Sequence, residues 1–365
     1  MPLFRRPKPA PTRHSLAVAP EPDEPLYRPL STAGAIERPW HAQRAELERI
    51  YAACATNPLA ARLLALTADF VIGSQATVRG HPFAQRFWAH PLNHLETRVF
   101  DWCRELSRSG ELFLVLSRNP VDGLSYVREV PALLIDAIEV DPNDRERELR
   151  YHQLDDTPEG RYWPAAALDA TPDEAVMLHY SLNRPVGAVR GVSDLAPVVV
   201  WLERYALWLE DRVRINRYKG AYLWHVSVDN PLPGQIEARR AQYSRPPRSG
   251  SIVITDSAEH WEAIQPRIDA DAVEADGRAI RLMIAAGAGI PLHYLAEGDT
   301  ATRATAREMG TATLRHFAHR QRQFAAIVED VIRRAAQRAG LGEIEVQVSF
   351  ESVLAQEDGT TTSAA

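Results

Sequence analysis

The sequence has little cysteine and no long apolar segment. Its 365 residues include two cysteines, Cys54 and Cys103, which lie far apart in the chain. We expect two buried free thiols, as in proteins of a reducing compartment, rather than a disulfide. No apolar run approaches the roughly 18 residues that a membrane-spanning helix needs, and the basic N-terminal residues are followed by prolines instead of an apolar stretch. The sequence therefore predicts no membrane partner and no signal peptide.

The sequence also lacks the short motifs that carry bond-making chemistry. It contains no phosphate-binding P-loop, no G-x-S-x-G nucleophile elbow and no H-E-x-x-H zinc motif. Gly287-Ala-Gly289 follows a predicted helix, whereas a dinucleotide fingerprint follows a strand, so we interpret it as a packing or hinge feature. We therefore predict no catalytic residue and no cofactor.

The histidines form no complete metal or catalytic set. His90 and His94 have the spacing of two ligands on one helix face, but Pro91 interrupts that helix and no nearby cysteine or carboxylate completes the set. His293 stands beside Tyr294 with no carboxylate at a fixed spacing, which favours structural packing over proton transfer. We predict no metal site.

The charge balance is mildly negative. The chain has 42 basic and 48 acidic residues, for a formal net charge of −6 at pH 7. This argues against a protein that grips nucleic acid over a broad surface, but not against one that lets DNA pass. One basic cluster lies toward the end of a predicted helix and consists of Arg212, Arg214, Arg217 and Lys219. These cations could contact phosphates, while a solvated helix end or a salt bridge between subunits explains them at least as well.

The first half of the chain predicts a flexible arm followed by an α+β domain. Residues 1–44 contain nine prolines and few large apolar residues, which is typical of an extended or disordered arm. Apolar residues at helical spacing then predict two helices over residues 41–73, separated at Pro58, and another over residues 91–109 that ends at Gly110. Short strands are predicted at residues 111–117, 125–130 and 175–180, so the sheet consists of local strands.

The second half predicts two helices that flank a small insert, followed by a much longer helix. The first helix covers residues 194–219 with Ser193 as its N-cap, and the second begins with Asp271 as its N-cap. The insert between them has strand-like segments at residues 222–228 and 251–255 and a short helix over residues 234–243. A small polar loop then leads to an amphipathic helix that ends near Gly340 and runs on the order of 50 Å. Its apolar stripe comprises Met309, Phe317, Phe324, Val328, Val331 and Ala335.

This order of elements resembles that of the portal proteins of tailed bacteriophages. The matching segments are Gly110-Glu-Leu-Phe-Leu-Val-Leu116, residues 130–141, Leu178-His-Tyr180 leading to Arg190-Gly-Val-Ser193, the helix over 194–219, and residues 276–298 with Gly289-Ile-Pro-Leu-His-Tyr-Leu-Ala-Glu-Gly298. The resemblance covers about residues 45–350, and the order of the segments carries it more than any one of them.

The resemblance implies an α+β, portal-like fold with a defined division of the chain. It places an α/β wing at residues 45–190, a first stem helix at 191–219, a clip at 220–268 and a second stem helix at 269–289. A tunnel-loop region at 290–303 and a supporting helix at 304–340 follow. Because only a strand-like segment at residues 343–350 and a small-residue tail to residue 365 remain, a helical crown is expected to be small or absent.

The resemblance also implies a function in the virion, after assembly in the host cytoplasm. Portals form a ring, most often a dodecamer, at one capsid vertex, through which double-stranded DNA is packaged and ejected. The implied partners are the terminase large subunit, a head-tail adaptor, and the major capsid or scaffolding protein. The tunnel-loop residues expected near the channel are Glu297, Asp299, Thr300, Thr302 and Arg303, and the cluster at Arg212, Arg214, Arg217 and Lys219 is expected to contact the channel or another subunit.

Two other functions stay open from the sequence. One is a cytosolic α+β enzyme, a hydrolase or transferase, with His179 or His152 as its base. The other is a virion ring protein that is not a portal. Activity from a monomer or dimer would favour the enzyme, whereas a ring with a through-channel would favour the portal.

Overall fold

The computed structural model describes residues 38–166, 174–219, 223–229, 232–243, 254, 258–264, 273–295 and 303–353. Several sequence predictions lie outside these residues. They are most of the N-terminal arm, the N-cap at Asp271, the polar loop at 296–302 and the C-terminal tail from residue 354.

Two helices open the described chain, and they meet at Asn57. They are α1 (Trp40–Thr56) and α2 (Pro58–Ile72), and the side-chain oxygen of Asn57 accepts the backbone N–H of Leu59 at 2.9 Å. The break predicted at Pro58 is confirmed. The physical reason is that proline fits the first position of a helix, where no N–H is needed. The arm predicted to reach residue 44 is too long, since residues 40–44 belong to α1.

The next two helices are α3 (Pro82–Trp88) and α4 (Leu95–Ser109). The helix predicted from residue 91 therefore begins four residues later, because His94 at its N-cap has a left-handed backbone with φ of 49°. Gly110 ends α4 with φ of 80°, as predicted, and its missing side chain lets the backbone of Val192 approach closely.

Two three-stranded antiparallel sheets follow α4. The first has β2 (Glu111–Arg118) at its centre, between β3 (Ser125–Val130) and β7 (Val176–Ser181). The second consists of β4 (Ile135–Asp141), β5 (Asp144–Gln153) and β6 (Arg161–Pro164) in that order. The first sheet matches the predicted strands, and β2 buries its first six residues against the helices and the second sheet. The strands β5 and β6 were not predicted.

A helix of 36 residues, α8 (Arg303–Arg338), packs along this body. At 1.5 Å per residue it is about 54 Å long, close to the predicted length. Five members of the predicted stripe, from Phe317 to Ala335, are buried. After α8, β10 (Val346–Phe350) pairs antiparallel with β1 (Ala76–Gly80), so a strand from the end of the described chain is joined to one near its beginning.

The remaining elements form a helical hairpin with an insert between its arms. The arms are α5 (Val199–Lys219) and α7 (Val273–Ala288), and the insert contains β8 (Leu223–Val228), α6 (Gln235–Gln242) and β9 (Glu259–Ile264). The short predicted helix is confirmed as α6. The strand predicted at 251–255 lies almost wholly outside the described residues; its one described residue, Ile254, is not in a strand, and β9 is the partner of β8.

The first arm begins later than predicted. Residues 194–198 form turns instead of a helix, and the Ser193 hydroxyl accepts the N–H of Leu195 at 3.0 Å. Pro197 lies in this segment and has no N–H to donate to a helix ladder, so the regular helix starts at Val199. None of the described helices is long and apolar enough to cross a membrane.

Candidate functional site

The candidate site is the hairpin of α5 and α7 with its junction to the body, because the residues predicted to act lie on it or next to it. Three contacts fix the two arms antiparallel. A Cβ at Gly287 would lie 2.4 Å from Cγ1 of Val198, and one at Gly277 would lie 2.5 Å from the Trp208 ring. Between these points an Arg281 Nη1 donates to the Tyr205 hydroxyl at 3.1 Å. Both glycines therefore permit close helix packing, as predicted for Gly287.

The hairpin is buried at its base and exposed toward the insert. Val199 and Leu202 of α5 and Ile284 of α7 are buried at the base. Beyond them, Leu209 is 43% exposed and Val213 is 51% exposed. The distal part of the hairpin thus has exposed apolar side chains.

The predicted basic cluster lies on this distal part. Arg214 and Arg217 are exposed and Arg212 is half-buried. Arg214 lies 3.8 Å from Glu210 and 3.7 Å from Asp211 on its own helix, with its side chain 67% exposed. Such exposed pairs contribute little to stability, so Arg214 is available for other contacts. Lys219 is the last residue of α5, and its side chain lies outside the described part.

The predicted loop cluster follows the second arm in the sequence. Glu297, Asp299, Thr300 and Thr302 are outside the described residues, and Arg303 is the first residue of α8 with an undescribed side chain. In the basic cluster, Arg217 is 18 residues beyond the start of α5, which is about 27 Å along the helix at 1.5 Å per residue. The role predicted for the loop residues stays a prediction.

A partly buried ion pair connects the base of the hairpin to α8. The carboxylate of Asp194 accepts one bond from Arg320 at 2.8 Å and one from the Asn183 amide at 2.7 Å. Arg320 is only 6% exposed. In addition, the Thr313 hydroxyl donates to the carbonyl of Gly289 at 3.2 Å. The chain that enters the hairpin at Asp194 and the chain that leaves it at Gly289 are therefore both attached to residues 313–320 of α8.

Aromatic packing holds the short turn between α7 and the loop. In the 3-10 turn Leu292–Leu295, the Tyr294 ring meets Phe70 of α2 edge-on at 5.3 Å, and Phe70 stacks on Phe317 of α8 at 4.7 Å. His293, for which structural packing was favoured over proton transfer, lies against Tyr294 with ring centroids 4.2 Å apart. The turn fixes the point from which the chain enters the loop.

A second buried cluster surrounds His179, which was the first candidate base for an enzyme. Its Nδ1 lies 2.7 Å from Glu148, its Nε2 lies 3.4 Å from Glu111, and its ring stacks on Phe113 at 4.4 Å. Burial by itself would lower the pKa of His179, but the two carboxylates outweigh it and raise the pKa to about 9. His179 is thus protonated at neutral pH and its side chain is 2% exposed, which does not fit a general base.

The other candidate base, His152, has both ring nitrogens engaged. Nδ1 lies 2.5 Å from Asp136 and Nε2 lies 3.0 Å from the carbonyl of Glu159. The carbonyl contact and Asp136 both favour the protonated ring, so the pKa of His152 is raised. Both ring nitrogens of His152 therefore already have partners within the chain.

The remaining predicted absences concern metals and thiols. Within the described part of the chain, no three histidine, cysteine or acidic side chains come together as a metal site. His90, which has the spacing of a metal ligand with His94, uses its Nδ1 to accept the N–H of Leu92 at 3.3 Å. Cys54 and Cys103 are both free; Cys103 is buried as predicted, whereas Cys54 is only half-buried. Burial raises the pKa of the Cys103 thiol to about 12.

Comparison with known proteins gives matches in structure only. No protein-family model matches the sequence, and no curated protein is similar to it. A chain in the virion of a native gene transfer agent (GTA) particle is 16% identical, with a TM-score of 0.62 over 92% of this chain and 95% of that chain. A chain in the neck of the native GTA particle, computed with C12 symmetry, is 15% identical, with a TM-score of 0.59 over 86% of each chain.

A third match is an HK97 family phage portal protein from Corynebacterium diphtheriae. It is 13% identical and covers 85% of this chain and 98% of that chain, with a TM-score of 0.48, which does not by itself establish a common fold. The GTA matches establish the fold and, at such low identity, nothing more. The mixed α+β fold predicted from the sequence is confirmed, and the chain shares this fold with chains of the GTA virion and neck.

Proposed function

We propose that this protein is a portal that forms a ring at one capsid vertex of a tailed phage or a gene-transfer particle. The observation that carries the proposal is the interrupted hairpin. Two antiparallel helices extend from an α+β body, carry a small β-containing insert at their far end, and return through a loop to a helix of 36 residues packed on the body. No step of bond-making chemistry is assigned to this arrangement.

The division of the chain follows from this proposal. Residues 45–190 are the wing, 191–219 and 269–289 the two stem segments, and 220–268 the clip. Residues 290–303 are the tunnel-loop region and 304–340 the supporting helix. The fold similarity to a chain of a GTA neck computed with C12 symmetry supports this assignment.

The proposed ring brings one hairpin from each subunit around a central channel for double-stranded DNA. A moving duplex must not be held firmly, because each neutralised phosphate adds affinity through counterion release. Glu297, Asp299, Thr300, Thr302 and Arg303 provide mixed charge and hydroxyl groups, which suits weak contact that is blind to sequence. ATP hydrolysis then belongs to a separate motor, in line with the missing P-loop.

The proposed partners divide between the two ends of the molecule. We assign docking of the terminase large subunit, and later of a head-tail adaptor, to the insert that contains β8, α6 and β9. The wing is assigned to the major capsid or scaffolding protein. A second copy of the chain is the partner along the hairpin and body, through a contact between two different surfaces that closes into a ring by rotation.

The mass and shape of the purified protein test the proposal. Twelve copies of the 40.8 kDa chain would have a mass of about 490 kDa, which light scattering on a size-exclusion column distinguishes from a monomer. Negative-stain images of the same peak should show rings with a central hole. A protein that stays monomeric alone, and also with its capsid or scaffolding partner, would refute the proposal.

A further inference from the structure

One side of α8 is exposed and basic. Arg315, His319 and Arg322 are exposed, and their spacings of four and seven residues place them within about 60° of one another around the helix. This side, the α8 basic face, lies opposite the side that buries Phe317 and Phe324. The two arginines are about 10 Å apart along the helix axis at 1.5 Å per residue. The α8 basic face is thus a short row of basic side chains on a regular helix.

The described carboxylates near this face have other partners. Residues 309–328 of α8 contain no acidic residue. Glu329, the next acidic residue along the helix, pairs with an arginine one turn further on. Glu351 follows β10, and its carboxylate accepts a serine hydroxyl at 2.8 Å. Within the described part of the chain, Arg315 and Arg322 have no carboxylate partner.

The chemistry of the α8 basic face suits a polyanion better than a protein partner. Ala312 and Ala326 lie about one turn before and one turn after the basic residues, and both are exposed on the same side. The buried centre of a protein interface is depleted of charge and rich in aromatic side chains. Two alanines provide no such anchor, whereas arginine side chains alone are enough to bind phosphates.

We infer that the α8 basic face binds double-stranded DNA outside the channel, through phosphate contacts that do not depend on base sequence. This inference rests on the proposed portal function, which makes the packaged genome the polyanion that the ring meets. Arg315 and Arg322 lie about 18 and 29 Å along α8 from Arg303, the last residue of the proposed tunnel-loop region, so they form a separate contact region. Because the net charge of −6 repels DNA from the rest of the surface, the contact is local and weak.

Closed circular plasmid DNA tests the inference, because a closed circle cannot thread its end through an assembled ring. The affinity of assembled rings for this DNA is measured by filter binding at several salt concentrations. Each phosphate contact contributes about 0.9 to the slope of log K against log salt concentration. Arg315→Gln combined with Arg322→Gln should therefore lower the slope by about 2 for each bound subunit, and lower the affinity by about tenfold or more at about 0.1 M salt.

A charge-matched control removes two arginines that already have carboxylate partners. Arg104 pairs with Asp101 and Arg147 pairs with Asp141, and both arginines are exposed. Arg104→Gln combined with Arg147→Gln changes the net charge by the same amount. Because these two side chains are neutralised within the chain, this control should leave the slope unchanged.

An unchanged slope in the variant of Arg315 and Arg322, or an equal decrease in the control, would overturn the inference. Rings that do not bind circular DNA would overturn it as well, whether or not they bind linear DNA in the channel. If this variant lost the ring while the unmodified protein kept it, a second copy of the chain would cover the face, and only this inference would fall. The absence of rings from the unmodified protein would refute both proposals.

Discussion

The contact between Gly277 and Trp208 predicts a coupling that a double-mutant cycle can measure. A Cβ at residue 277 would lie 2.5 Å from Cη2 of Trp208 and 3.0 Å from two further ring atoms. The ring cannot move freely, because it stacks on Tyr205 with centroids 5.8 Å apart. Gly277→Ala should therefore force the indole or the helix to shift, at a cost of about 1–3 kcal/mol.

The helix propensity of alanine opposes this cost. Gly277→Ala gains about 1 kcal/mol in a helix interior, so the single variant alone does not isolate the clash. In a Trp208→Ala background the space is open, and the same substitution should stabilise the hairpin. The propensity gain is common to both backgrounds and cancels in the cycle, which leaves a coupling of about 1–3 kcal/mol between residues 208 and 277.

Hydrogen exchange of the α7 amides is the suitable assay, because it reports the free energy of local opening of the hairpin without requiring global unfolding. The four proteins of the cycle are the unmodified chain, Gly277→Ala, Trp208→Ala and the double variant. Equal effects of Gly277→Ala in both backgrounds would refute the close approach of the two helices at this level.

Three further predictions concern the body, the junction and the loop. The pKa of His179 is raised from about 6.5 in the unfolded chain to about 9 in the folded protein, so its stabilising contribution is complete below pH 6.5 and is lost as the pH rises through about 9. Urea unfolding should therefore show a decline in stability of a few kcal/mol over this pH range. The variant His179→Gln should abolish that decline. Asp194→Asn should cost about 1–3 kcal/mol in the same assay, because it removes the carboxylate that pairs with the buried Arg320, while the double change Asp194→Asn and Arg320→Met should cost less. Arg303→Ala should alter DNA packaging or ejection in an infection assay, while light scattering should show that the rings still form. Loss of the ring would contradict this role.

The elements that the sequence predicts best are those with a strong local signal. The stripe of α8 repeats over several turns, so its period identifies the helix without knowledge of its neighbours. Gly110 and Pro58 are similar cases, because each imposes a backbone conformation wherever it stands. The strands β5 and β6 give no such signal, because their outward residues are charged and their buried aromatic residues, Tyr151 and Trp163, are too few to show a period of two.

The candidate site depends mostly on contacts between distant residues, which sequence patterns do not contain. Asp194 and Arg320 are 126 positions apart, and nothing near either residue marks it as half of a partly buried ion pair. The register of the hairpin is a similar case, because the close packing at Gly277 depends on Trp208 of the other helix. The sequence still predicted the order of a helix, an insert and a second helix, and the resemblance to portal proteins implied that the two helices form one stem.

The described residues of the insert have little packing of their own. Its two strands, β8 and β9, form an isolated two-stranded sheet, which is marginally stable by itself, and α6 has no buried residue. Its main described anchor is Glu259, 3% exposed, which accepts the Trp261 indole N–H at 2.6 Å and pairs with Arg239 at 3.3 Å. Among the described residues of the insert, this anchor supplies little apolar burial. If the insert forms contacts in the proposed ring, hydrogen exchange in its described strands should slow on assembly more than in α8, whose apolar stripe is already buried within one copy.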